Sequence, residues 1–363
     1  MILIIAPNLE PSLCGVSDYA IELRRLFKNQ QIDVFIIALS DAYIENVQID
    51  QFSLRIPRKF NNNYKLKRTI ECVQQLQPTE IYFNLVSYGY QAKGFPLYLL
   101  KIFRLLKKPI TIIAHELWMG NFKNETIKNK IIGLIQKQLL IKLFRLSNIK
   151  CIFVSTDIFK NILKSVEIDA KTLPVFSNIP IHIAHEDQIS SSQTVTFILF
   201  GSIAFHLDVQ AFIHFILKEF LHKGKYVVIN HVGIYRGHIN EWESIKKNLS
   251  SHGVIFKEYG IVAPTIISKL LQSADYGLTS YMLPFWSKSG SIAAMLAHGL
   301  PVISISKYMP LEQHTDNVEL NSRIFQITIL GENNFINSIQ KIEKNISYNE
   351  LIFKKMIEEN PIF

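Results

Sequence analysis

Residues 286–302 read WSKSGSIAAMLAHGLPV, and the reading of this stretch decides the fold. Ser287, Lys288, Ser289, Gly290 and Ser291 make a turn of small and polar residues that runs into an apolar helical segment over 291–297. His298 and Gly299 stop that helix, and Pro301 opens an apolar strand over 302–305. A helix start offers backbone N–H groups without intrahelical partners and the positive end of the helix dipole, which together hold an anion. Lys288 adds a full charge and three serine hydroxyls add hydrogen bonds, so the turn suits a phosphate or diphosphate. The same residues also satisfy a plainer reading, an ordinary capped helix in an α/β domain.

Working outward, hydrophobic periodicity divides the chain into two α/β halves. In the first, short β-branched runs at 2–6, 33–39, 80–85, 110–114 and 151–155 alternate with helical patterns at 17–29, 65–75, 95–107 and 126–146. In the second, runs at 195–200, 226–231, 254–256, 276–280 and 302–305 alternate with helical patterns at 209–221, 241–248, 265–272 and 291–297. Strands separated by helices of this length imply right-handed crossovers and parallel sheets. The polar segment HEDQISSSQ at 185–193 reads as a linker, and the tail at 333–359 reads as one or two amphipathic helices. The expected domains are therefore 1–185 and 194–340, with a C-terminal helix within 341–363.

Composition sets the class. A chain of 363 residues exceeds one ordinary core, and 48% hydrophobic with 19% charged residues describes a folded globular protein. No apolar run approaches the roughly 18–20 residues that span a bilayer. The opening MILIIAP reads as a buried strand rather than a signal peptide. Cys14, Cys72 and Cys151 are odd in number and widely spaced, which points to a reduced, cytoplasmic protein. The net charge of +9 is uneven: residues 1–190 carry 24 Lys+Arg against 16 Asp+Glu, and the remainder 15 against 14. A basic first half favours an anionic partner there, such as a membrane surface or a lipid-linked phosphate. Nucleic acid is not expected, because the basic stretches lack interleaved aromatic residues.

The segment AHGLPVI at 297–303, preceded by ADYGLTSYMLPFWSKSG at 274–290, resembles the nucleotide-sugar site of GT-B glycosyltransferases, especially the retaining family 4 group. The resemblance implies an α/β GT-B fold, two doubly wound Rossmann-like domains facing across a cleft, with the C-terminal helix crossing back to the first. It implies donor diphosphate over the Ser287–Ser291 turn. PSLCGVSDYAIEL at 11–23 resembles the family's N-terminal paired-glycine loop, with Cys14 in place of the first glycine and Gly15 and Val16 following. A glycine at 15 would permit close backbone approach or a positive φ. His115, in IIAHELW, stands where the family often places a histidine near the reacting end of the sugar, and is the catalytic candidate. HELWM lacks the second histidine of HExxH, and His182 and His185 have no third ligand, so no metal and no cofactor are expected.

FILFGSIAFHLD at 197–208 resembles the family's strand, glycine and loop, with Gly201 matching. Two departures follow. The family's arginine just after that glycine is Ser202 here, and its lysine falls near His206 and Leu207. The family's paired glutamates, with seven residues between them, would fall at Trp286 and Ala294. The resemblance then leaves Lys288 to neutralise the diphosphate, Trp286 to stack on sugar or base, and Arg236 in HVGIYRGH as another cation near the nucleotide. Tyr259, in EYGIVAP, occupies the family's base-binding loop.

The implied activity is transfer of a sugar from a nucleotide sugar to a glycan or polyprenol-linked acceptor, retaining and metal-independent, in bacterial surface polysaccharide synthesis such as capsule or O-antigen. The expected location is the cytoplasm, on the inner face of the cell membrane. The 126–146 segment combines Lys128, Lys130, Lys137, Lys142 and Arg145 with an apolar face, a pattern suited to an anionic membrane surface. Two rivals remain: a catalytically silent GT-B protein that binds a partner or a nucleotide sugar, and a sugar-nucleotide epimerase acting on free donor.

Overall fold

The run ILIIA at Ile2–Ala6 is buried at every position, as a strand covered on both faces must be, and it forms the middle of a parallel sheet. In the computed structural model, which describes residues 1–10, 15–120, 126–182, 193–203, 205–235, 237–307, 324–326 and 348–361, this strand is β1. It is followed by β2 (Val34–Asp41), β3 (Gln48–Ile49), β4 (Ser53–Pro57), β5 (Glu80–Leu85), β6 (Ile110–Ala114), β7 (Ile149–Val154) and β8 (Lys171–Thr172). These form an 8-stranded sheet ordered β3-β4-β2-β1-β5-β6-β7-β8. Every neighbouring pair is parallel except β3 and β4. Helices Gly15–Asn29, Asn62–Leu76, Leu97–Leu105, Ile127–Phe144 and Asp157–Lys164 make the crossovers.

Among the described residues the second sheet has 6 strands, β9 (Thr194–Phe200), β10 (Tyr226–Val232), β11 (Ile255–Gly260), β12 (Tyr276–Thr279), β13 (Val302–Ser304) and β14 (Ile324–Gln326), ordered β11-β10-β9-β12-β13-β14. All its pairings are parallel. Helices Val209–Glu219, Ile239–Ser251, Pro264–Ser273 and Gly290–Ala297 connect them. In each sheet the first strand lies inside: β1 between β2 and β5, and β9 between β10 and β12. The chain therefore winds outward in both directions, and loops leaving the two sides of that strand diverge. Ligands of doubly wound sheets enter the resulting crevice at the strands' carboxyl ends.

The chain divides into two compact units, Met1–Pro174 with Ile352–Phe363, and Val175–Leu351. In the first unit, Phe353 of the helix Tyr348–Glu359 packs edge-on against Phe27 at 5.0 Å. Asn360 Nδ2 donates to Glu80 Oε1 at 2.9 Å, and the same buried carboxylate accepts from Lys150 at 2.9 Å. The residues 183–192, containing most of the expected linker, and 327–347 of the tail lie outside the described residues.

Periodicity finds most of the long elements and passes over β3, β4, β8, β14 and the helix Asp157–Lys164. Two of these are only two residues long, too short for any period to register. Among the described residues no helix is long and apolar enough to cross a membrane.

Candidate functional site

The diagnostic stretch folds as a 3-10 turn, Leu283–Lys288, running into the helix Gly290–Ala297. Ser289 caps the helix, its Oγ accepting from Ile292 N–H at 3.3 Å, and it also meets Ser291 Oγ at 3.0 Å. Ile292 to Leu296 are all buried, so packing rather than solvent holds this helix start in place. Its far end closes as the sequence indicates: Gly299 takes φ 78, the left-handed position that stops a helix. His298 seals the last turn, with Nδ1 2.8 Å from Ala294 O and Nε2 2.9 Å from Ser268 Oγ. The carbonyl can only accept, so Nδ1 carries the proton and Ser268 donates to Nε2.

Gly201 ends β9 with φ 98, and a Cβ added there would come within 3.1 Å of Ser291 Cβ. The loop after β9 and the helix start after β12 thus meet at the switch point of the second sheet. Gly233, after β10, is the residue the sequence reading missed. It has φ 134, and a Cβ there would lie 2.6 Å from Gly201 O, a separation no side chain tolerates. Backbone hydrogen bonds fix the loops together: Gly201 N–H donates to Val232 O at 2.8 Å and Gly233 N–H to Gly260 O at 2.9 Å. Buried His231 places Nε2 3.4 Å from Gly201 O and stacks on Tyr235 at 4.6 Å. Burial lowers its pKa from the ordinary 6.5, against the opposing pull of the Gly201 carbonyl and Glu258. Its ring is accordingly neutral at pH 7.

The remaining second-unit candidates separate. Ser202 and Lys288 are half-buried near the crevice, and Tyr259 stands half-buried at the end of β11. Trp286 and Ser287 are buried, Trp286 only 8% exposed, so its ring offers little face for stacking and mainly packs. Ala294 is fully buried as well. The two positions where the family's glutamates would fall are therefore occupied by packing side chains. Arg236 lies outside the described residues. His206, expected only as the neighbour of a missing lysine, instead meets His238 and Glu241, with one ligand atom from each within 4.8 Å of the others.

In the first unit, His115 follows β6 and is 9% exposed. Its Nε2 lies 2.9 Å from Asn84 Oδ1, and Tyr19 packs edge-to-face against it at 4.8 Å. Asn84 Nδ2 donates to Ile5 O at 3.4 Å, so Oδ1 is the acceptor and Nε2 of His115 carries the proton. That tautomer makes Nδ1 the basic nitrogen of the ring. Asn84 was not legible as its partner, since the two residues are 31 apart in sequence. Gly15 opens the helix Gly15–Asn29, with half-buried Val16 beside it. Among the described residues a Cβ on Gly15 would meet nothing within 4 Å and its φ is not positive, so the freedom a glycine permits there is not used. Cys14 and the rest of 11–14 lie outside the described residues.

No protein-family model and no curated protein matches the chain. Solved structures do resemble it. The catalytic domain of starch synthase IV from Arabidopsis thaliana, bound to ADP and acarbose, aligns with TM-score 0.57 at 11% identity, over 99% of this chain and 98% of that one. UDP-GlcNAc 2-epimerase from Methanocaldococcus jannaschii aligns with TM-score 0.50 at 14% identity, over 99% and 100%. The lipopolysaccharide outer core galactosyltransferase WaaB aligns with TM-score 0.50 at 12% identity, over 99% of each chain. At such identities the likeness speaks to architecture: the chain has the glycosyltransferase-like GT-B fold, with two Rossmann-like sheets.

Proposed function

We propose that this protein is a glycosyltransferase of the retaining family 4 type, moving a sugar from a nucleotide sugar to a glycan or polyprenol-linked acceptor in bacterial surface polysaccharide synthesis. One observation carries the reading: Gly201, Ser289, Gly290 and Ser291 converge at the β9/β12 switch point, where a helix start meets a side-chain-free loop. Backbone N–H groups, the helix dipole and Lys288 there suit a diphosphate. In the transfer, the bond from the anomeric carbon to the diphosphate oxygen breaks. A bond to an acceptor oxygen forms, and the acceptor's proton passes to the departing diphosphate. The negative charge that grows on the diphosphate is stabilised by Lys288 and the helix start, taking over the role of the missing arginine and lysine. His115, held in one tautomer by Asn84, is the catalytic residue of this reading. No metal takes part in the transfer.

A membrane-bound acceptor is supported by the helix Ile127–Phe144. Ile127, Ile131, Leu134 and Ile135 stand 52–77% exposed on it, beside exposed Lys128 and Lys130. Apolar side chains flanked by cations suit the surface of an anionic membrane, the inner face of the cell membrane on this reading. The protein should therefore sediment with vesicles containing anionic lipid and stay in solution with zwitterionic ones.

The donor assignment is tested by thermal stabilisation with UDP, GDP, ADP and CMP, each beside Lys288→Ala. A nucleotide at 100 times its Kd adds about 2.7 kcal/mol to the folded state. Stabilisation by one nucleotide, lost in the variant, supports the site; no response to any of them sinks it. Incubating the matching nucleotide sugar without acceptor then separates the rivals. An epimerase converts it, a transferase hydrolyses it slowly, and a silent protein leaves it intact.

A further inference from the structure

Three side chains of the second unit meet with no part in the chemistry above. His206 sits in the loop after β9, His238 just before the helix Ile239–Ser251, and Glu241 in that helix's first turn. His206 Nδ1 lies 2.7 Å from Glu241 Oε1, and His238 Nδ1 lies 3.9 Å from Glu241 Oε2. The two imidazole rings pack with centroids 4.0 Å apart at 60°.

The backbone around them is fixed while the rings can turn. Lys307 N–H donates to His206 O at 2.9 Å, Leu207 pairs with Ser306, and Leu207 N–H donates to Glu241 Oε2 at 2.6 Å. His206 keeps 66% of its side chain exposed. His238 holds φ 49, a left-handed conformation uncommon for a residue with a Cβ, and its side chain does not cap the helix it precedes. A strained backbone that brings one histidine against another, over a shared carboxylate, points to something the three groups hold in common.

We propose that His206, His238 and Glu241 bind a divalent transition-metal ion of the zinc class, through one nitrogen from each histidine and one carboxylate oxygen. Two nitrogens and one oxygen favour zinc or cobalt over magnesium or calcium, which take oxygen ligands in larger number. Tetrahedral bonds of about 2.0–2.1 Å place ligand atoms roughly 3.3 Å apart. The present separations of 2.7 and 3.9 Å bracket that distance, so modest ring rotations close the site. The fourth position is left for water or an anionic oxygen. The ion ties the loop after β9 to the segment after β10. Phe205, next to His206, stacks on Phe285 at 5.9 Å, which extends the tie to the Leu283–Lys288 turn.

The test is a titration of tag-free, chelator-stripped full-length protein with Co2+, followed by visible absorption, with Zn2+ added in competition and Mg2+ as a separate arm. Saturation at one ion per chain is expected, with Zn2+ displacing Co2+ and Mg2+ failing to compete. His206→Ala and His238→Gly should each weaken Co2+ binding by more than the roughly 10–100-fold that losing an outer-shell partner causes. His252→Ala, an exposed histidine after the other end of the same helix, should leave it unchanged. Metal-free melting curves report whether each variant folds; exposed His206 makes its variant the safer one. Absence of a saturable site, or binding that survives both substitutions in folded protein, overturns the proposal. Because no nucleotide is present, this result is independent of the donor assignment.

Discussion

The carboxyl ends of the two sheets are held by different means. At the first, side chains hold side chains: Asn84 fixes His115, and Arg55 lies 2.7 Å from the fully buried Asp41. At the second, backbone holds backbone: Gly201 pairs with Val232, Gly233 with Gly260, and glycine lets the strands' loops touch. On the proposed function the contrast is chemical. A group that must present one nitrogen in one protonation state needs a neighbouring side chain to orient it. A surface that receives phosphate needs N–H groups and close approach, which side chains obstruct. The first end should therefore be sensitive to loss of side chains, and the second to their addition.

The largest effect should come from adding one. Gly233→Ala drives a methyl toward Gly201 O and requires a left-handed alanine, so denaturant melts should show a loss of about 3 kcal/mol or more. Gly15→Ala, with no described atom within 4 Å of the added methyl, should stay within about 0.5 kcal/mol of the parent. Equal losses in the two variants would erase the contrast. At the first end, Asn84→Leu strands the buried His115 N–H and should destabilise by about 1–3 kcal/mol. A larger fall in activity than in stability would place His115 in the chemistry rather than in the packing.

Ser289→Ala tests the backbone end by removing a helper rather than adding an obstacle. Loss of the cap should cost about 1 kcal/mol and weaken nucleotide binding, read by calorimetry, while Ser291 stays in place. The smallest effect is a slope. Burial keeps His231 unprotonated below the ordinary 6.5, so as pH falls through that value the unfolded chain takes a proton the folded one refuses. Stability should decline over that window, and His231→Gln should flatten the decline in melts between pH 7.5 and 5. An unchanged slope in the variant assigns the decline to another group.

Most of the second sheet was legible because its β-branched runs alternate cleanly with helical patterns. Gly299 was readable as a helix stop because it acts within a few residues of itself. Gly233 was not, since its need for glycine comes from Gly201 O, 32 positions earlier, and nothing nearby in sequence announces it. Trp286 misled for the opposite reason. An aromatic residue in a turn can face a ligand or the core, and only the packing around it shows that it is buried. His206, His238 and Glu241 spread over 36 residues with no metal spacing, so no motif could group them.

By itself the sequence determined two doubly wound halves, the helix over 291–297 after its polar turn, and the basic character of the first half. These follow from local rules, the periods of helix and strand and the chemistry of caps, which act over a few residues and survive without tertiary context. The tertiary structure alone decided the partner of His115, which glycines are indispensable, and the meeting of two histidines with a glutamate. Each depends on loops converging from separate strands, and which loops converge is set by the order of strands in the sheet, a property no short window of sequence contains.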